Sequence, residues 1–162
     1  MAESQNPGVA TFAVEDPRQP DLKVLIEELD AEMNAAYAEN SCWLASVEEL
    51  AEDYVQFLVA RYHGHPIACG ALVIKDIDWA EIKRMYVRPV ARGKGLSRVI
   101  LDNLVGMARR RDLKVVKLET GEKLEAAVHL YRSAGFVECE PFEGYQDAET
   151  PESLFMEMRL EA

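Results

Sequence analysis

A mixed α/β sandwich with a strand–helix–strand crossover at its centre is predicted by three features of the chain. Apolar runs rich in β-formers alternate with helical stripes. A His-Gly-His-Pro turn joins two of those runs into a hairpin. One helical stripe separates the run ending at Val87 from the run starting at Val115, as a crossover requires. At 162 residues, 49% of them hydrophobic, the chain suits a single globular domain spanning residues 1–162. Residues 1–9 are expected to be a flexible N-terminus.

The elements follow in order. Thr11 to Glu15 alternates and reads as a first strand. Leu22, Leu25, Ile26, Leu29, Met33, Ala36 and Tyr37 keep helical spacing, predicting an amphipathic helix from Asp21 to about Glu39. Ser46 followed by Glu49 is a capping-box pattern that opens a short helix to about Asp53. Tyr54–Tyr62 and Ile67–Ile74 flank the turn His63-Gly64-His65-Pro66 as a hairpin. Glu81–Val87 is the next strand, ended by Pro89. Leu96, Val99, Ile100, Leu104, Met107 and Ala108 mark a helix to about Arg111, whose basic end suits a helix C-terminus. Val115–Thr120 is a strand. Leu124, Ala127, Val128 and Tyr131 stripe another helix, closed by Gly135 as a left-handed cap. Phe136–Glu140 and Leu154–Leu160 are the last strands. The order is β-α-α-β-β-β-α-β-α-β-β.

Composition excludes several classes. A formal net charge of −11 disfavours nucleic acid or an anionic membrane as partner, and no apolar run is long enough to span a bilayer. The polar start, with Glu3, is not a signal peptide. Cys42, Cys69 and Cys139 form neither a disulfide framework nor a zinc spacing, which fits a cytoplasmic protein without a metal. His63 and His65 fall in the hairpin turn, where a solvated loop is the expected setting. The charge is uneven, however. Ile82–Leu101 holds Lys83, Arg84, Arg88, Arg92, Lys94 and Arg98 and no acid. Such a stretch in an acidic protein reads either as a solvated surface run or as a local site for a polyanionic ligand.

Arg92-Gly93-Lys94-Gly95-Leu96-Ser97 favours the second reading. It follows a strand and opens a helix, so free backbone N–H groups and the helix dipole face outward. Gly93 and Gly95 permit positive φ and close approach of a ligand, and Arg92, Lys94 and Arg98 add charge. The spacing is neither the Walker A loop nor the dinucleotide fingerprint. An ordinary glycine-rich turn has the same bare pattern.

The neighbours narrow this. Ile82-Lys83-Arg84-Met85-Tyr86-Val87-Arg88-Pro89, the glycine turn, Leu130-Tyr131 and Gly135-Phe136 together resemble the GNAT acetyltransferase superfamily, most closely from Glu81 to Phe136. The resemblance implies a mostly antiparallel sheet flanked by helices, and acetyl-CoA as cosubstrate with no metal. It implies that Arg92, Gly93, Lys94, Gly95, Leu96, Ser97 and Arg98 hold a pyrophosphate. It also implies a bulge near Met85, Tyr86 and Val87 whose backbone pairs with the pantetheine arm, and an oxyanion donor at the Met85 N–H. Two positions depart from the pattern: Ser97 stands where Gly or Ala is usual, and Leu124 where many relatives have Asn or Gln.

Acetyl transfer to an amine needs a base for the ammonium, stabilisation of the thioester oxygen, and an acid for the leaving thiolate. By the resemblance Tyr131 is the acid and Glu81 the base. Glu119 is the second candidate base, and an ordered water chain is a third route. Tyr131 alone would read equally as part of its helix's apolar stripe, and Glu81 as a strand-end carboxylate. The implied transfer is direct, in a ternary complex. The acceptor side implied by the resemblance comprises Tyr37, Trp43, Arg84, Glu119 and Tyr145. Around them lie Asn40 and Ser41, and the acids Glu140, Glu143, Asp147, Glu149 and Glu152. Carboxylates and aromatic faces suit a small primary amine, and Arg84 or Lys83 would suit an acceptor's carboxylate. Competing readings are a non-catalytic acyl-CoA-binding module, a protein or peptide N-acetyltransferase, and a nucleotide-binding domain. Oligomeric state stays open, a homodimer included.

Overall fold

Strands β2 (Val55–Tyr62) and β3 (His65–Ile74) form an antiparallel hairpin around which the rest of the sheet assembles. The computed structural model describes residues 9–37, 44–145 and 152–160. The expected flexible N-terminus lies almost wholly outside these. The hairpin turn is the two residues His63 and Gly64, at φ 49° and 79°, the pair of positive values that matches strand twist. β3 therefore starts at His65, earlier than the turn pattern suggested, and a register shift at Ala60/Arg61 takes up the offset.

One seven-stranded sheet results among the described residues, in the order β1-β2-β3-β4-β5-β7-β6. Its other strands are β1 (Thr11–Val14), β4 (Trp79–Val87), β5 (Val115–Gly121), β6 (Val137–Glu138) and β7 (Ser153–Arg159). All pairs are antiparallel except β4·β5, joined through helix α3 (Leu96–Arg110) as the expected crossover. Helix α1 (Pro20–Ala36) and the short α2 (Val47–Leu50) precede the hairpin, and α4 (Glu125–Ala134) follows β5. The Ser46 hydroxyl accepts the Glu49 N–H at 3.2 Å, as the capping pattern requires, but α2 stops at Leu50 rather than near Asp53. β4 begins two residues before the expected Glu81. β6 is a two-residue edge, shorter than Phe136–Glu140.

The strand alternation sorts two apolar layers. Leu58, Ala60, Ala68, Leu72, Ala80 and Ile82 face α3, packing on Ile100, Leu101 and Leu104. Phe57, Val59, Cys69, Ala71 and Val73 face α1, packing on Leu22, Leu25, Ile26 and Leu29. Each fully buried aliphatic side chain contributes about 1.5–3 kcal/mol of burial free energy, so both helices are held firmly to the sheet. Both faces of the central strands are covered, which explains their near-continuous apolar sequence. Among the described residues no helix is long and apolar enough to cross a membrane.

Two breaks in the sheet prepare the site. β4 and β5 pair over Trp79–Ile82 and Val115–Leu118, and among the described residues their ladder ends there. On the other side of β4, Lys83 pairs with Ala71 and Tyr86 with Cys69, so Arg84 and Met85 together face Gly70. This is a bulge one residue earlier than the expected Met85–Val87. Arg84 stands in the left-handed region at φ 59°.

Candidate active site

Two cavities open where β4 and β5 part, and they share Met33, Met85, Leu124, Ala127 and Tyr131. The larger, about 480 Å3, runs from Tyr131 to the glycine turn. Met85, Tyr86, Val87, Arg92, Gly93, Gly95, Leu96 and Ser97, all candidates from sequence, are among the residues that line it. Lys94 and Arg98 lie outside its wall; Arg98 is instead ion-paired with Asp102 at 2.9 Å. Gly93 and Gly95 stand at φ 80° and 77°, with no heavy atom within 4 Å of where a Cβ would lie. No side chain among the described residues caps α3, so its first N–H groups are available to an anion. A pyrophosphate fits this turn by shape, donors and dipole. Leu124, where a polar contact is usual, contributes an apolar wall.

Half of the basic stretch is compensated by α1, which sequence could not show. Arg92 is held by Glu32 at 2.7 Å and donates to the Val87 carbonyl at 2.9 Å. Arg88 pairs with Glu28 at 2.9 Å, and Arg84 with Asp30. Glu32 lines the larger cavity, so a bound phosphate and Glu32 would compete for Arg92.

Tyr131 sits on α4 at the junction of the cavities. Gly135 caps the helix at φ 108°, and the Phe136 N–H returns to the Tyr131 carbonyl at 3.0 Å. That turn folds the Phe136 ring against the phenol edge-to-face, 5.9 Å between centroids. The Leu-Tyr-x-x-x-Gly-Phe pattern is thus a mechanical unit that fixes the phenol. Burial pushes the Tyr131 pKa well above its ordinary value, and the negative charge of Glu119 adds to the shift.

The smaller cavity, about 120 Å3, brings together Tyr37, Glu81, Lys83, Glu119, Tyr145 and Tyr131. Glu81 is 1% exposed. Its carboxylate accepts the Tyr145 hydroxyl at 2.5 Å and lies 3.6 Å from Lys75 and 3.8 Å from Lys83. Lys83 in turn donates to the Tyr145 oxygen at 3.3 Å. Glu119 accepts the Ser153 hydroxyl at 2.7 Å, and burial raises its pKa against the lowering effect of that bond. Tyr37 crosses the end of β5, where a Cβ on Gly121 would lie 1.7 Å from its oxygen. Glycine at 121 is what lets the ring close this wall, and the Lys123 N–H meets its hydroxyl at 3.3 Å.

Arg84 is placed differently from the sequence expectation. Its side chain is 2% exposed and sealed beneath α1, so its backbone, not the guanidinium, is presented to the cavity. The contact expected with an acceptor's carboxylate is closed in this geometry. Trp43, with Asn40, Ser41 and Asp147, lies outside the described residues. Lys83, which sequence offered as a partner for an acceptor's carboxylate, lines the cavity, as do Gly121 and Ser153, which the sequence pattern did not single out. Their neighbours come from β7 and from residue 145, far away in the chain.

A glycine turn with open helix N–H groups and a carboxylate-lined pocket meet at one buried phenol, an arrangement able to bring an anionic ligand and a second substrate together. The comparisons agree. Residues 22–136 match the Acetyltransferase (GNAT) family. An IAA acetyltransferase from Azospirillum brasilense is 39% identical over 93% of this chain and 97% of its own. The crystal structure of a Klebsiella pneumoniae chain, assigned to the acyl-CoA N-acyltransferases, is 31% identical, with a TM-score of 0.78 over 94% of this chain and 98% of that one. A GNAT acetyltransferase from Elizabethkingia anophelis, solved with acetyl-CoA bound, shares the fold at 18% identity and a TM-score of 0.68, over 93% of this chain and 98% of that one. The chain belongs to the GNAT acetyltransferase family and is an acetyl-CoA-dependent N-acetyltransferase.

Proposed function

We propose that the protein acetylates a primary amine of a small molecule by direct transfer, with both substrates bound together. The meeting of the two cavities at Tyr131 carries this reading. Acetyl-CoA supplies the acetyl group as an activated thioester. The glycine turn and the start of α3 hold its pyrophosphate, and the β4 backbone from Met85 to Val87, which has no partner on its β5 side, lies along its pantetheine arm. The Met85 N–H stabilises the negative charge that develops on the thioester oxygen.

Glu119 takes the proton from the acceptor's ammonium. A carboxylate with a raised pKa is a better base than an ordinary one, and Glu119 shares the smaller cavity with Tyr131. Glu81, the base expected from sequence, is engaged by Tyr145 and two lysines, and we assign it to holding that wall in place. Tyr131 gives its proton to the leaving sulfur, and the phenolate so formed takes the second proton from the acetylated nitrogen, which attack leaves N-protonated; Glu119 returns the first proton to solvent. The raised pKa of Tyr131 keeps it protonated throughout the neutral range, so the donor is present at every turnover.

Support for a small acceptor comes from the size of the cavity and from its carboxylate Glu119, which attracts a cation; Glu81 and Glu152 are already paired with lysines. The name of the Azospirillum relative points the same way. Mass spectrometry of acetyl-CoA incubated with free amino acids, polyamines, aminoglycosides and peptides tests the assignment. Acetylated small amines are expected; efficient acetylation confined to peptides would overturn it.

The base makes its own prediction. Glu119 must be ionised, so kcat/KM falls as pH drops through its pKa. Ser153→Ala removes a bond that lowers that pKa, so the acid limb should move to higher pH. Glu119→Gln should lose roughly 100-fold or more in rate and flatten that limb, whereas Glu81→Gln should keep it. Superimposable profiles for wild type and Ser153→Ala would remove Glu119 from the role.

A further inference from the structure

Arg84 carries two separate costs at one position. A non-glycine residue in the left-handed region costs about 1–2 kcal/mol. Its guanidinium is buried, and among the described residues the Nε and Nη1 groups have no hydrogen-bond partner. Strain of this kind persists where the surroundings over-determine it, and it gathers at functional sites. Here it falls at the residue before the Met85 N–H.

The surroundings pin this stretch of backbone from both sides. On the α1 side, the Nη2 group of Arg84 bonds the Asp30 carboxylate, and the Arg84 carbonyl accepts the Cys69 thiol at 3.3 Å. On the α3 side, the Met85 side chain lies over Gly70. A Cβ at Gly70 would stand 2.7 Å from the Met85 sulfur and 2.7 Å from Ile100, so glycine is needed to seat it. Consecutive side chains are thus drawn to opposite faces of the sheet. The peptide between them is fixed where the ladder with β3 has no paired residues and the ladder with β5 has ended.

We propose that Arg84 is a positioning residue: its tie to Asp30 holds the bulge so that the Met85 N–H points at the developing oxyanion. This rests on the donor role given to that N–H above. The tie to Asp30 explains why glycine, the unstrained choice at φ 59°, is absent. Glycine would keep the backbone shape available but leave nothing to hold it.

The test compares Arg84→Gly, Asp30→Asn and wild type, using acetyl-CoA labelled at its thioester carbonyl. Arg84→Gly relieves the strained φ. Asp30→Asn keeps the bulge residue and weakens only the tie, so it serves if the glycine variant folds poorly. Expected for Arg84→Gly is a kcat loss of about 10- to 100-fold, the scale of a misplaced reacting group, with KM for acetyl-CoA changed far less. The infrared band of the bound thioester carbonyl should shift back towards its free position. Asp30→Asn should move both readouts the same way by a smaller amount. A wild-type-like kcat and carbonyl band in a folded Arg84→Gly or Asp30→Asn would overturn the proposal. If wild type itself shows turnover but no carbonyl shift on binding, the oxyanion role of the Met85 N–H fails first.

Discussion

Gly95→Trp is expected to abolish acetyl-CoA binding in calorimetry while leaving a folded protein. Gly95 is the residue before α3, at φ 77°, and the space beyond its Cα is open. That space is the mouth of the larger cavity, where the turn and the free N–H groups of α3 converge. An indole there would fill the pyrophosphate's place, and the left-handed backbone would add about 1–2 kcal/mol of strain. The strain lowers stability modestly, because nothing in the apolar layers is touched. Loss of binding with a near-native melting temperature is therefore the signature. Retained affinity within a few-fold would mean that the phosphates lie elsewhere. Binding of ATP in place of acetyl-CoA by wild type would remove the donor assignment altogether.

Tyr131→Phe should lower kcat by roughly 10- to 1,000-fold with little change in affinity for acetyl-CoA. The substitution deletes one oxygen and keeps the ring that packs against Phe136, so the helix cap and the shape of both cavities survive. What disappears is the proton for the leaving sulfur. A poorer leaving group should suffer more, so donors whose thiol has a higher pKa should show the larger loss. Equal kcat, where chemistry limits turnover, would leave Tyr131 as a packing residue.

The parts of this site that were legible in sequence are those whose physics is local. Arg92 to Ser97 announces a strand-to-helix turn with free donors because the strand before it, the two glycines and the helical stripe after it are contiguous in the chain. Tyr131, Gly135 and Phe136 announce a capped helix end for the same reason. The rest depends on partners distant in sequence. Arg84 meets Asp30 across 54 residues, and Tyr37 meets Lys123 across 86. Nothing in the acids of α1 marks them as counter-ions, since an exposed helix face carries the same residues. The burial of Glu81 was equally hidden: a carboxylate at a strand start normally meets water, and here Tyr145 folds over it. The bulge begins one residue before the Met85 that the resemblance implies, because an arginine gives no sign of a left-handed backbone.

The central claim is that donor and acceptor occupy joined cavities at once and that the acetyl group passes directly between them at Tyr131. Initial rates measured while varying both acetyl-CoA and an amine acceptor test this most directly. Intersecting double-reciprocal lines, with no acetylated enzyme on mixing protein and acetyl-CoA alone, are predicted. Parallel lines, together with an enzyme that carries the acetyl group before the amine is added, would contradict the account.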